Sequence, residues 1–118
     1  MIQNPVVEKS FAFSVRIVRL YRYLANSKKE YILSRQICRS GTSIGANISE
    51  AQRALSRADF AARMGIALKE ANETHYWLKL LCSSGFLTET EFRSMNRDLE
   101  ELLRLLTAIC KKISVGSK

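Results

Sequence analysis

Six arginines in the first half of the chain have the residue type and the helical spacing to bind phosphate groups. They are Arg16, Arg19, Arg22, Arg35, Arg39 and Arg53. The planar guanidinium group can donate two parallel hydrogen bonds to a phosphate, and each phosphate contact releases condensed counterions. Alternatively, these arginines pair with acidic residues such as Glu8, Glu50 or Glu73, or across a subunit boundary. The sequence supports both interpretations equally.

A second group that could do chemistry is a line of small or polar residues with helical spacing of three and four, which consists of Gln36, Ser40, Ser43, Asn47 and Glu50. Asn47 and Glu50 could form a catalytic pair in a contact between helices. The structural alternative is a hydrogen-bonded pin that fixes the register of two helices, because small residues such as Ser43 let a second helix approach closely. In either case we predict that Asn47 and Glu50 hydrogen-bond across the gap between the helices.

The one histidine is the remaining candidate for acid–base chemistry. His75 lies between Ala71 and Leu78 on the core-facing line of a predicted helix. It could be a general base or a ligand, but we favour a partly buried histidine bonded to a neighbouring helix, because no nucleophile or acidic partner is evident. A di-iron bundle is excluded, since it needs Glu-x-x-His motifs and residue 72 is Asn. Zinc-binding cysteine spacing and a Gly-rich phosphate loop are also absent, so we predict a protein that is not an enzyme and needs no cofactor or metal.

The composition indicates a basic, single-domain protein. The 118 residues carry 19 Lys and Arg against 11 Asp and Glu, a formal net charge of +8. Residues 1–55 hold nine of the basic and three of the acidic residues, so the first half carries most of the excess charge and favours a polyanionic partner.

Three cysteines without a C-x-x-C pair suit a reducing compartment. With neither a signal peptide nor a membrane-spanning apolar stretch, we expect a cytoplasmic location and no membrane contact.

Capping signals and apolar periodicity predict an all-α protein with four helices. The predicted bounds are about 5–26, 31–54, 57–84 and 89–112. The predicted helix starts rest on three pairs of residues, Asn4 with Pro5, Ser56 with Asp59, and Thr88 with Glu91. Short connections make consecutive helices antiparallel, so residues 1–118 are predicted to form one up-down-up-down four-helix bundle with a frayed tail from Val115.

The second helix is predicted to bury one line of residues and to approach another helix closely. The buried line contains Leu33, Ile37, Ile44, Ile48, Ala51 and Leu55. Gly41 and Gly45 lie in the same helix, and each costs about 1 kcal/mol of helix propensity. We therefore expect a packing reason for both glycines.

The first and third helices carry more apolar surface than a monomeric bundle needs. An outer helix needs an apolar arc of only about 100°, but apolar residues cover more than half of the first helix. On the third helix a separate apolar line contains Ile66, Trp77 and Leu80. We predict that these surfaces contact a neighbouring subunit or another protein.

The segment SGTSIGANISEAQ, between KSFAFSVRIVRLYRYL and SRADFAARMGIALKEANETHYWL, resembles a family of small bacterial four-helix bundles. That family includes proteins encoded in intervening sequences of 23S ribosomal RNA genes and the accessory variability determinant of diversity-generating retroelements. Many relatives have Pro in place of Gly45 and Gly in place of Ala51. The resemblance implies a ring-forming bundle, a pentamer, with a basic surface that binds nucleic acid, and it implies no known reaction. It also favours the structural pin over a catalytic pair at Asn47 and Glu50.

Together these features predict a non-catalytic, homo-oligomeric adaptor that binds RNA or DNA. Binding would use phosphate contacts on the basic faces of the first two helices, with weak sequence specificity because no motif for reading base edges is present. The alternative is a protein–protein scaffold, for example one that docks a reverse transcriptase, with a structural rather than a direct role at the nucleic acid.

Overall fold

The computed structural model describes residues 4–116, with the side chains of residues 4–114. The described chain forms four helices, α1 (Pro5–Asn26), α2 (Leu33–Ala51), α3 (Arg57–Ser83) and α4 (Glu89–Gly116). Each helix packs against the next one in the chain, and α4 closes the bundle against α1. The predicted all-α, antiparallel four-helix bundle is confirmed.

Three of the helices start at the predicted capping residues. Asn4 Oδ1 accepts a backbone hydrogen bond of 3.3 Å in the first turn of α1, and Ser56 Oγ accepts one of 3.0 Å from Asp59 N–H in α3. At the start of α4, Thr88 N–H donates to Glu91 Oε1 at 2.8 Å, and Glu91 N–H donates to Thr88 Oγ1 at 3.1 Å. These bonds satisfy amides that have no partner inside the helix, so local sequence fixes where the helices begin.

α2 is shorter than predicted at both ends. It begins at Leu33 rather than at residue 31, and the Glu30 carboxylate accepts hydrogen bonds of 2.7 to 3.1 Å from three backbone N–H groups at its start. It ends at Ala51, and Leu55 is fully exposed. The prediction that Leu55 continues the buried line is therefore wrong, because the chain leaves the helix at Gln52 and Leu55 no longer points along the core-facing stripe.

α4 is longer than predicted. It continues past residue 112 to Gly116, so the start of the tail that we predict to fray is helical. Residues 117 and 118 of that predicted tail lie outside the described residues. α3 ends just before Gly85, whose φ of 85° is a left-handed conformation that glycine adopts easily.

One core fills the space between the four helices. Its largest fully buried side chains are Phe13, Ile17 and Leu24 of α1, Ile37, Ile44 and Ile48 of α2, Met64, Leu78 and Leu81 of α3, and Leu99, Leu102 and Leu106 of α4. Burying a large aliphatic or aromatic side chain is worth about 1.5–3 kcal/mol relative to leaving it exposed. Since every helix contributes to this core, the outer faces of the helices are held in fixed relative positions.

α1 and α2 approach each other closely at the two glycines of α2. A Cβ atom at Gly41 would lie 2.7 Å from the Ile17 side chain. A Cβ atom at Gly45 would lie 2.9 Å from Ser14 Oγ and 3.2 Å from the Ser10 carbonyl oxygen. The predicted packing reason for both glycines is confirmed, because a larger residue at either position would push α1 away from α2.

Candidate nucleic-acid interface

Arg16 is held in the contact between α1 and α4. Its Nη1 donates to Asp98 Oδ2 at 2.7 Å and to the Ser94 carbonyl oxygen at 3.1 Å, and its Nη2 donates to Ser94 Oγ at 2.8 Å. The Asp98 carboxylate therefore balances the charge of Arg16 within the bundle, and much of its hydrogen-bonding capacity is already used.

Arg39 is held in the contact between α2 and α3. Its Nη1 lies 3.4 Å from Glu70 Oε1, and its Nη2 donates to Glu73. The Trp77 indole N–H donates to Glu73 Oε2 at 3.0 Å, so one carboxylate joins the arginine to the tryptophan. Arg39 thus pairs with two carboxylates, which carry more negative charge than one guanidinium group can balance. This local negative charge would repel a phosphate.

Arg19, Arg22 and Arg35 are exposed, and none of them forms an ion pair within the described part of the chain. The close contacts at the two α2 glycines set the register of the antiparallel helices α1 and α2. Continued toward the connecting loop, this register places Arg35 level with Arg22. The structure therefore groups these three arginines at the same end of the bundle.

The loop between α1 and α2 adds two exposed lysines to this group. Lys28 Nζ lies 5.8 Å from the centre of the Tyr23 ring, a cation–π contact, and it forms no ion pair with any described residue. Glu30 is the one acidic residue in segment 19–35, and its carboxylate is turned to the first amides of α2. We call the five cations the basic corner, which consists of Arg19, Arg22, Lys28, Lys29 and Arg35.

Arg53 lies at the opposite end of the bundle. It follows the end of α2 and is exposed. Eighteen residues separate it from Arg35, which corresponds to roughly 27 Å along a helix axis at 1.5 Å per residue. The six predicted arginines therefore do not form one surface. Three lie in the basic corner, two are ion-paired between helices, and Arg53 is separate.

The polar line of α2 bonds mainly within its own helix. Ser43 Oγ donates to the Arg39 carbonyl oxygen at 2.6 Å, and Asn47 Nδ2 donates to the Ser43 carbonyl oxygen at 2.8 Å. Asn47 Oδ1 also accepts a long hydrogen bond of 3.5 Å from Arg63 Nη1 of α3, whereas Glu50 is exposed. Of the two residues predicted to bond across the gap, Asn47 alone reaches α3 within the described residues.

The buried polar contact between α2 and α3 is made by Ser40 and Thr74. The Thr74 hydroxyl donates to Ser40 Oγ at 2.9 Å, and both side chains are fully buried. Thr74 is not among the residues predicted to form a site. Its position between Ala71 and Leu78 on the α3 core line could have indicated a buried polar contact. This hydrogen bond and the bonds among Arg39, Glu70, Glu73 and Trp77 form one contact between the two helices. We call it the α2–α3 seam, which consists of Arg39, Ser40, Glu70, Glu73, Thr74 and Trp77.

His75 is half-buried on α3. Within residues 4–116, no group of three or more His, Cys, Asp or Glu side chains is placed to hold a metal ion.

Burial raises the pKa of the Cys38 and Cys110 thiols above the ordinary value, so both thiols stay protonated near neutral pH. Protonated thiols are poor nucleophiles, and these two positions are suited to packing rather than to reaction.

Among the described residues, one apolar surface of α1 is uncovered and one of α3 is partly uncovered. The α1 surface consists of Phe11, Val15 and Val18, and the α3 surface consists of Ile66, Trp77 and Leu80. Phe11 is 72% exposed and Ile66 is 41% exposed, whereas Trp77 and Leu80 are half-buried. Neighbouring exposed apolar side chains favour contact with another protein chain.

The sequence model of the family described as 23S rRNA-intervening sequence protein matches residues 3–108. The chain belongs to this 23S rRNA-intervening sequence protein family. The family resemblance of the segment around Ser43 and Asn47 is therefore confirmed. No curated protein matches the chain.

A solved structure supports the same membership. It is the crystal structure of a protein of unknown function from the S23 ribosomal protein family of Bacteroides thetaiotaomicron. The two sequences are 55% identical, the match covers 92% of this chain and 96% of that chain, and the TM-score is 0.90. Neither the intervening-sequence family nor this relative is described by a catalytic activity. Among the described helices, none combines the length and apolar character needed to cross a membrane.

Proposed function

We propose that this member of the intervening-sequence family is a non-catalytic adaptor that binds nucleic acid, with RNA as the first ligand to test. The observation that carries the proposal is the basic corner, where five exposed cations lie in a segment whose one acidic residue, Glu30, is already engaged by the α2 amides. Cations without counterions attract a polyanion, and the released counterions drive binding. Because the family description names 23S rRNA as the context of these proteins, RNA is tested before DNA, and the proposed phosphate contacts are common to both.

The proposed contacts are with phosphates. Arg19, Arg22 and Arg35 present exposed guanidinium groups, which suit bidentate bonding to phosphate oxygens. Arg16 and Arg39 contribute little, because carboxylates on α4 and α3 already balance their charge. Of the six predicted arginines, the proposal therefore retains Arg19, Arg22 and Arg35 of the basic corner, with Arg53 as a separate contact at the far end of the bundle.

The adaptor is proposed to act as a homo-oligomer, a pentameric ring by family resemblance. The two uncovered apolar surfaces lie on different helices, so one surface of each copy can cover the other surface of the next copy. Such head-to-tail contacts repeat the basic corner around the assembly. Several linked corners would hold a long polyanion more tightly than one corner does.

A protein–protein scaffold is the second candidate function. The exposed Phe11 and Ile66 support it, since the same apolar surfaces could receive a different protein, such as a reverse transcriptase. In that case the basic corner would dock an acidic or nucleic-acid-bound partner. The isolated protein would then have little affinity for RNA.

Titration of a labelled structured RNA at several salt concentrations tests the proposal. The variant R19Q/R22Q/R35Q removes three charges from the basic corner. The plot of log K against log salt should become less steep by about 0.9 for each phosphate that the variant no longer binds. The matched control, R93Q/R97Q/R104Q, removes three exposed arginines from α4 and should change the slope less. An equal reduction in the two variants, or binding that does not depend on salt, would contradict the proposal. An oligomer that binds no RNA would favour the scaffold.

A further inference from the structure

A groove between α1 and α4 opens beside the basic corner. Its volume is about 470 Å³, within the range of about 300–1,000 Å³ that is typical of small-ligand sites. Leu20, Leu87 and Met95 line it and are only 8%, 5% and 6% exposed, so they form an apolar floor. Arg19 of the basic corner lines the same groove.

The wall of the groove on α1 combines cations with an aromatic ring. Arg16 is fixed in place by its bonds to α4, whereas Arg19 has no ion pair in the described chain. Tyr23 is half-buried and lines the groove, with Lys28 Nζ 5.8 Å from its ring centre. A ligand in this groove would therefore meet an apolar floor, an aromatic ring and an unbalanced positive charge.

The wall on α4 supplies polar groups. Thr90 and Ser94 line the groove with hydroxyl groups, and Thr90 is exposed at its rim. Glu91 is also part of this wall, but its carboxylate accepts the Thr88 N–H at 2.8 Å in the capping box. One of its oxygens is thus turned to the start of the helix rather than left for a ligand.

We infer that the groove binds one unpaired nucleotide of the RNA held by the basic corner, an inference that rests on the proposed function. The flat face of a base matches the apolar floor and the Tyr23 ring, and the phosphate of the same nucleotide matches Arg19. Unstacked bases of RNA are commonly recognised by stacking on aromatic side chains beside cationic groups. A purely apolar ligand would leave Arg19 unused, and a free inorganic anion would leave the apolar floor uncovered.

The inference predicts a preference for RNA that contains an unpaired base. Two labelled RNAs of equal length are compared, a fully paired hairpin stem and the same stem with one bulged adenine. The wild type should bind the bulged RNA about tenfold more tightly, which is the effect of one base stacked on an aromatic ring. Thr90→Met should extend an apolar, non-aromatic side chain over the groove and remove this preference, so that the two RNAs bind with equal affinity. Thr107→Met, at an exposed threonine of α4 outside the groove, should retain the preference.

The outcomes separate the inference from the proposed function. Equal affinity of the wild type for the two RNAs, or a preference that survives in Thr90→Met, overturns the groove as a nucleotide site while RNA binding stands. A wild type that binds neither RNA overturns both.

A second measurement avoids any dependence on a substituted protein. In NMR titrations of the wild type, adenosine monophosphate should shift the amides of Leu20 and Thr90, whereas inorganic phosphate should shift amides near Arg19 without those of the floor. Shifts that are the same for the two probes, or absent from Leu20 and Thr90, overturn the inference.

Discussion

Arg35 and Arg39 lie about one turn apart on α2, and both side chains are exposed, yet they have different neighbours. Arg35 lies level with Arg22 of α1 and at the end of the bundle that carries the loop lysines, and the Glu30 carboxylate there is turned to the backbone. Arg39 faces α3, where Glu70 and Glu73 balance its charge. The comparison teaches that exposure and residue type do not define a phosphate site, because the charge on the neighbouring helix decides which arginine is available.

The two regions also differ in what they can contribute to an assembly. In the α2–α3 seam, Glu73 holds both Arg39 and the Trp77 indole, so the arginine helps to orient a residue of the α3 apolar surface. The basic corner contains no comparable bond to an apolar surface residue among the described residues. We therefore expect the seam to serve packing and subunit contact, and the corner to serve polyanion binding.

The largest expected effect is dissociation of the assembly on Ile66→Asp. If the α3 surface contacts another subunit, a carboxylate there would be buried without a partner, which strongly opposes association. Light scattering at micromolar concentration should show a change from oligomer to monomer, with helicity retained because Ile66 is 41% exposed in the single chain. Leu55→Asp is the control, since Leu55 is fully exposed and belongs to neither apolar surface, and its substitution should leave the oligomer intact. A monomeric wild type, or an assembled Ile66→Asp variant, would contradict the assignment of this surface.

The next largest effect concerns the close contact between α1 and α2 at Gly41, which sets the relative positions of the arginines in the basic corner. Gly41→Ala places a Cβ atom 2.7 Å from the fully buried Ile17 side chain, and overpacking of this kind typically costs about 1–3 kcal/mol. Gly65→Ala is the matched control, because a Cβ atom there meets nothing within 4 Å and should stabilise α3 by up to about 1 kcal/mol. Urea unfolding should therefore give free-energy changes of opposite sign for the two variants. A stabilised Gly41→Ala variant would show that α1 and α2 can separate without cost.

A smaller effect should appear when the acidic partners of Arg39 are removed. In E70Q/E73Q the Arg39 guanidinium is left without counterions, so the seam should bind one additional phosphate and the salt slope of RNA binding should steepen by about 0.9. E8Q/E50Q removes the same charge at two exposed acids that form no ion pair within the described residues. If both variants steepen the slope equally, net charge rather than the local pairing of Arg39 controls binding.

Local signals were sufficient to predict the bundle and its caps. Asn4, Ser56 and the pair Thr88 and Glu91 act on amides within four residues of themselves, so their roles follow from the sequence alone. The exposure of Leu55 was missed, because periodicity does not reveal where the chain leaves a helix.

The candidate site was less predictable, because its charges are balanced by residues that are distant in sequence. Arg16 pairs with Asp98, 82 residues away, and Arg39 pairs with Glu73, 34 residues away. Such pairs depend on how the helices pack, which spacing within one helix does not specify. Thr74 was missed for a related reason, since a threonine on a core line becomes a polar contact only when Ser40 of α2 meets it.

The most direct test is the salt dependence of RNA binding by the single variants Arg35→Gln and Arg39→Gln, measured beside the wild type. Both remove one exposed positive charge from the same helix. We predict that Arg35→Gln decreases the steepness of the plot of log K against log salt by about 0.9, as expected when one fewer phosphate is bound. Arg39→Gln should leave the steepness unchanged. A decrease for Arg39→Gln that equals or exceeds the decrease for Arg35→Gln would contradict it.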